Sequence, residues 1–499
     1  MNRSRRCQTL QQVFSIISSL LAIGATPSLR GAEGPELTRL FPAGGQAGTT
    51  VNVEASGKFP VWPVQAWSDT DAVHWTFEET SGKLKATIAA EAKPGLHWLR
   101  LHHASGATVV RPFLVGSIPE QIEAEPNDRV TEANAIPSLP YSTHGVFAKR
   151  GDVDHYALTL EQGQAIVAVI DAEHSLRSPV DASIQLLDSK GFVLAENLDH
   201  FGLDPRLEFT APRAGNYIVR VFGFPAAPDS TISYGGGADW LYRLTLSTGG
   251  DASQSHLRSA HWGVESKQYL VEPNQATTRE EAIAFEMPAA IQGSIAIPGQ
   301  KRFVRFRAVA GQDYRVQLQA RQIGSELDAS LTISDMQGKQ LSQQDDVGNN
   351  RDPDLKWKAA ADGDAIIEVK DFHLAGGPDF GYSMLVTATK PDYKLELSND
   401  LVQAFVGKET EIKVKIDREL DFAGEISISL DGALAGVESP TLESIHGSDT
   451  AKSVTLRLKS TVAYQGPIRI VAKLSDGAAT SRVVETADDK PIWLSITAE

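Results

Sequence analysis

The chain has 499 residues, too many for a single hydrophobic core, so three or four domains are expected. Its 47 Lys and Arg against 63 Asp and Glu leave a net charge of −16. That balance excludes nucleic acid and anionic lipid surfaces as general partners, because both are gripped through an excess of cations. The only cysteine is Cys7, so the chain beyond it has no disulfide, thiolate nucleophile or cysteine-based zinc site.

The N-terminus reads as a secretory signal over residues 1–32. Arg3, Arg5 and Arg6 precede an apolar stretch from Val13 to Ala25, with small residues at Gly24-Ala25 and Gly31-Ala32 and the cleavage point left open. The stretch is shorter than the roughly 20 residues needed to span a bilayer. Cleavage after residue 32 removes four Arg and no acid, which takes the charge from −16 to −20. An exported protein without a membrane span is expected, in the periplasm, on the cell surface or in the medium.

Beyond the signal, short alternating apolar runs broken by Gly, Pro, Asn and Asp dominate, and sustained helical periodicity is lacking. The expected fold class is all-β: tandem β-sandwich domains. Residues 35–117 form the first unit. It opens with Phe41-Pro42-Ala43-Gly44-Gly45 and Gly48-Thr49-Thr50-Val51, and carries a later strand at Leu96–Leu101. Its entry pattern resembles the immunoglobulin-like IPT/TIG family. Residues 121–249 hold at least six short strands, among them Tyr156–Leu160, Ile166–Ile170, Ile184–Leu187 and Tyr217–Phe222. Residues 250–267 read as a linker.

Residues 268–389 repeat the pattern of 121–249. Gly145 matches Gly293, Gly163-Gln164 matches Gly311-Gln312, Asp181-Ala182-Ser183 matches Asp328-Ala329-Ser330, and Asp204-Pro205 matches Asp352-Pro353. These landmarks stand 147 or 148 residues apart, a period of tandem domains rather than a solenoid. Near the end Tyr242 meets Tyr382, so the second copy has a shorter loop there. Residues 391–499 alternate cleanly at Glu411–Ile416, Glu425–Leu430 and Val454–Leu458, as a last immunoglobulin-like sandwich would.

The repeated unit resembles the bacterial pre-peptidase C-terminal domain family. The residues that carry the likeness are Glu125-Pro126-Asn127-Asp128, Gly151-Asp152-Val153-Asp154-His155-Tyr156, Gly163-Gln164 and Gly215-Asn216-Tyr217. The resemblance implies jelly-roll-like sandwiches that accompany secreted peptidases or other exported enzymes without being catalytic. In some relatives, notably the collagen-binding modules of clostridial collagenases, it also implies calcium held by an acidic entry segment and a following strand. Carried onto this sequence, the ligands are Glu123, Glu125, Asn127, Asp128, Asp152 and Asp154. Calcium takes six to eight oxygens in flexible geometry, which such a segment can supply. The same residues also make an ordinary turn. In the second copy, Gln300-Lys301-Arg302 stands where Asp152-Val153-Asp154 stood, and Asp128 becomes Gln275. Calcium is therefore expected in the first copy only.

The shared aspartates Asp199 and Asp204, with Asp346 and Asp352, are expected to cap turns. His74, His97, His102 and His103 are better read as surface histidines than as a metal site. Tyr234, Trp240 and Tyr242 are ligand-binding candidates, because the loop before them is the one that the second copy shortens. Neither Gly-x-Ser-x-Gly, His-Glu-x-x-His nor a phosphate-cradling loop occurs. The reading is an exported, non-catalytic binding or interaction protein. Its partner is an extracellular protein, a matrix polymer or a secreted enzyme. Two alternatives stay open: a secreted peptidase with an unrecognised active site, and a structural spacer of a surface assembly.

Overall fold

The structure, a computed structural model, describes residues 33–198, 202–227, 233–248, 268–271, 276–323, 325–347, 351–377, 379–474, 482–486 and 490–498. The signal stretch, the linker, Asp199 and the second entry motif Glu272–Gln275 lie outside the described residues.

The chain is almost wholly β, as tandem sandwiches. In the first, one sheet runs in the order 36–41, 50–58, 83–88 and 73–77. A second runs 44–46, 111–116, 95–103 and 65–68. Alternate residues from both faces meet in one core, with Leu40, Val53, Leu84 and Ile88 from one sheet against Leu99, Leu101 and Phe113 from the other. In the last, three sheets close over Val414, Ile426, Leu456, Ile470 and Leu494.

Between them stand two units of identical strand order. In the first, one sheet runs 120–122, 141–146, 241–248, 165–171 and 206–210. The facing sheet runs 134–135, 153–160, 215–225, 180–188 and 193–197. The second unit repeats this with 268–271, 289–294, 381–389, 313–319 and 354–358, facing 283–284, 301–308, 363–371, 329–334 and 340–344. Even an irregularity is reproduced: Leu186/Leu187 and Ile333/Ser334 carry the same register shift against their edge strands. The strand Val153–Leu160 buries Asp154, Tyr156, Leu158 and Leu160 on its inner face. Its counterpart Lys301–Ala308 buries Arg302, Val304, Phe306 and Ala308. Both units thus place a charged residue at the head of an otherwise apolar column.

The aspartate pair Asp204 and Asp352 serves backbone in both. Asp204 accepts from the N–H groups of Ala172, Glu173 and His174, and Asp352 accepts from Arg321. The histidines do not gather: His74 lies on a different sheet from the strand that carries His97, His102 and His103. His97 Nε2 meets Lys93 O at 3.0 Å, while His102 packs on Trp493.

Contacts join each unit to the next. Ala43 and Leu114 pack with Val146, Leu176 and Leu241. Arg206 reaches Asp379 at 3.3 Å, and Arg315 reaches Glu419 at 3.6 Å. The last unit then returns to the first. The fully buried Arg100 guanidinium pairs with Asp400, donates to Thr108 O at 2.6 Å and lies over the Trp493 ring. Trp67 and His102 flank the same indole.

Removing one partner of a buried ion pair strands the other charge away from water. Asp400→Ala should therefore cost about 3 kcal/mol in chemical denaturation, while Arg100→Met/Asp400→Leu should recover most of that loss.

Candidate metal centre

Three pieces of chain meet at one end of the first repeated sandwich. The entry segment leaves the strand Glu120–Ile122 and crosses the end of the core. Its path is pinned where Asn127 O accepts the His155 N–H at 3.2 Å and faces His155 Nδ1 at 3.0 Å. The turn before Val153 supplies Asp152, and the strand itself supplies Asp154. The strand Leu241–Thr248 brings in Tyr242, opposite Gly145 in register. A glycine is needed there, because a Cβ would lie 2.1 Å from the Tyr242 ring.

Asp154 is fully buried, with Asp152 and Asn127 beside it almost equally so. Glu125, Asp152 and Asp154 each offer an oxygen within 4.8 Å of the others. The Asn127 carboxamide lies between two of them, its inward atom 2.8 Å from Asp154 Oδ1 and 3.2 Å from Glu125 Oε2. With nitrogen turned inward it donates to both carboxylates; with oxygen turned inward it adds a fourth oxygen to the set. Glu123 stands behind Asp154. Its Oε1 accepts the Val146 N–H at 2.6 Å, and its Oε2 accepts the hydroxyls of Tyr242 and Tyr156 at 3.1 and 3.3 Å. Tyr242 also reaches Asp154 Oδ2 at 2.6 Å.

Asp152 divides its work. Oδ2 accepts from the N–H groups of Ala148 and Lys149 at 2.6 and 3.4 Å and so closes the turn. Buried Oδ1 makes no hydrogen bond; its one cationic neighbour among the described residues is Lys149 Nζ at 3.5 Å. The second unit separates these roles. Gln300 Oε1 accepts from Ala296 and Ile297 N–H at 2.7 and 3.3 Å, which preserves the turn without a charge. Arg302 takes the register position of Asp154, buried, with Nε donating to Ser294 O at 2.9 Å. The carboxylate charge of the first unit is therefore additional to what the fold requires.

The structure gathers Glu123, Glu125, Asn127, Asp152 and Asp154. Asp128 stands at the rim of this group, half-exposed, where its carboxylate accepts Lys149 Nζ at 2.9 Å. The ligand-binding candidates Tyr234, Trp240 and Tyr242 take different places. Tyr242 is buried as a hydroxyl donor to the carboxylates, and Trp240 packs on the core over Gly235. Tyr234 alone is exposed, stacked on Phe224 at 5.1 Å. Tyr156 and Tyr242 were missed as partners of the acids. The spacing of Asp154 and Tyr156 on one strand face was the available signal for the first; nothing local marks the second.

Residues 152–223 match the profile of the bacterial pre-peptidase C-terminal domain family, which shows one such domain in this chain. The matched stretch includes Asp152, Asp154 and Tyr156. A probable subtilase-type serine protease from Deinococcus radiodurans is 27% identical over 180 residues, covering 34% of this chain. The chain spans about a quarter of that relative's length (24%). Among solved structures, the pre-peptidase C-terminal domain of a collagenase from Bacillus anthracis covers 25% of this chain and 99% of its own. It is 17% identical, with a TM-score of 0.18. PliG from Aeromonas hydrophila, a periplasmic inhibitor of g-type lysozyme, covers 26% and 98%, at 16% identity and a TM-score of 0.17. Among the described residues no helix is long and apolar enough to cross a membrane.

Burial raises both inner acids in the cation-free protein: Glu123 to about 7, and Asp154, further raised by the charge of Glu123, to about 9. The two acids act on each other, so their carboxyls titrate as a unit. The folded state then holds protons that the unfolded chain, with carboxyls near about 4, releases. The resulting stability is full below about pH 4 and is lost as pH rises through about 7 and 9. Melting temperatures in EDTA should fall from pH 5 to pH 9, and Asp154→Asn should flatten that slope.

Proposed function

We propose that the chain is an exported, non-catalytic, multi-domain binding protein, an accessory to secreted enzymes, whose first repeated unit holds one calcium ion. The observation that carries the ion is the buried carboxylate of Asp152, whose Oδ1 makes no hydrogen bond and which offers an oxygen within 4.8 Å of oxygens of buried Asp154 and exposed Glu125. Two buried carboxylates side by side are costly without protons or a cation. The donors suit calcium: all are oxygens, and carboxylate, carboxamide and water are its usual ligands. Glu125, Asn127, Asp152 and Asp154 would hold it, with Asn127 presenting its oxygen. Glu123 and Tyr242 would orient Asp154 from behind. Bound calcium supplies positive charge and joins the entry segment to the strand, a cross-link in a chain whose single cysteine is Cys7.

The accessory role is supported by the family match at residues 152–223 and by the likeness to a subtilase-type protease. Family domains of this kind occur in secreted proteases, which fits export under the N-terminal signal. By the same reading, residues 268–389 are a second domain of that family without an ion, and residues 35–117 and 391–499 are immunoglobulin-like. The partner would be an extracellular protein, a matrix polymer or the secreted enzyme itself.

Extracellular calcium modules bind at about 10⁻⁴ to 10⁻³ M, so about 10 mM calcium should stabilise the unit by about 1.4 to 2.7 kcal/mol. Calorimetry should show a higher melting temperature with calcium than with EDTA, and no difference in Asp152→Asn or Asp154→Asn. An unchanged transition in the native chain would remove the ion. Incubation with casein or collagen should yield no cleavage products; sustained turnover would replace the accessory reading with that of a peptidase.

A further inference from the structure

Among the described residues, the edge strand Val193–Asn197 of the first repeated unit pairs in its sheet only with Val180–Asp188, and Asn197 Oδ1 also accepts the Arg206 N–H at 3.1 Å. Its flank is apolar and open to solvent: Phe192 is 67% exposed, Leu198 51%, Val193 46% and Leu194 43%. Exposed apolar edges are ready templates for strand pairing, and most proteins blunt them with charge. The second unit does so. Its edge strand Gln340–Gln344 has the same neighbour, register and irregularity. Lys339 there stands for Phe192, Gln340 for Val193 and Asp345 for Leu198, while Leu341 retains the leucine of Leu194. The fold therefore does not require the apolar residues at this edge.

We propose that this edge is the dimer interface of the protein, pairing antiparallel with the same strand of a second copy. The segment is self-complementary. Pairing about a two-fold axis at Ala195 sets Phe192 opposite Leu198 of the other copy, Val193 opposite Asn197 and Leu194 opposite Glu196. Each large apolar residue at the ends meets another, and the single charge of the segment, Glu196, faces leucine rather than its own like. A partner strand with acids at its ends would lose the two apolar pairs. A second copy offers backbone partners to the open edge, pairs Phe192 with Leu198 at both ends and keeps the two Glu196 carboxylates apart, and turns the five-stranded sheet into one of ten.

The test is the sedimentation of the full chain over a concentration series. The native chain should reach twice the monomer mass. Phe192→Lys/Val193→Gln/Leu198→Asp, which installs the residues the second unit carries at the same places, should remain monomeric with an unchanged melting temperature. In a Cys7→Ser background, Ala195→Cys should form a covalent dimer on mild oxidation, whereas Lys339→Cys should not. A native chain that stays monomeric throughout overturns the proposal, whether or not it binds some other protein. So does a dimer that survives the triple substitution, or one that fails to cross-link through position 195.

Discussion

A carboxylate stands where a strand's apolar face requires a hydrocarbon. Asp154 heads the inward column that continues through Tyr156, Leu158 and Leu160, and is itself fully buried. Burying that group is affordable only if its charge is cancelled or its oxygens are fully bonded. The surrounding structure follows from this. Tyr242 donates to Oδ2; Glu123, its own pKa raised by burial, stands behind; and the Asn127 amide comes down from the entry segment. Gly145 is bare so that the Tyr242 ring can pass. Lys149 reaches in from the rim toward Asp128 and Asp152.

The second repeated unit meets the same position with the opposite sign. Arg302 occupies the register place of Asp154, and Gln300 maintains the turn that Asp152 closes. The sandwich thus tolerates either charge at the head of this column, provided the local partners change with it. This also separates scaffold from chemistry within one residue. Asp152 Oδ2 does what a neutral amide does in the sister unit, while Oδ1 has no counterpart there. A duplicated fold whose backbone solutions are retained and whose charges diverge is free to hold an ion in one copy only.

Between units the same balance recurs at larger scale. Arg100 has no exposure, and its charge is answered by Asp400 from the other end of the chain and by the face of Trp493. Arg206 to Asp379 and Arg315 to Glu419 are further polar links, each with a partner partly open to solvent. Losing Asp400 is costly because Arg100, fully buried, has no water to fall back on.

The sequence by itself determined the β class, and in it the parallel pattern of 121–249 and 268–389 and most of the acids gathered at the end of the first unit were already legible. Alternation with a period of two shows which residues of a strand turn inward, and paired glycines and aspartates show where turns repeat. Glu123, Glu125, Asn127, Asp152 and Asp154 were legible through the family resemblance, and Asp152 and Asp154 also stand out because the second copy has Gln300 and Arg302 at their places. Tertiary structure decided what adjacency cannot encode. Tyr242 lies 88 residues from Asp154, and only the pairing of its strand with 141–146 delivers its hydroxyl to that carboxylate, so a ligand-binding candidate of the sequence is a buried donor. Asp128 belongs to the same motif, yet the turn points it outward to Lys149. Arg100 and Asp400 stand 300 residues apart, and no local pattern marks either. Side-chain direction along one strand follows from the backbone's own repeat; which strands become neighbours depends on the packing of whole sheets.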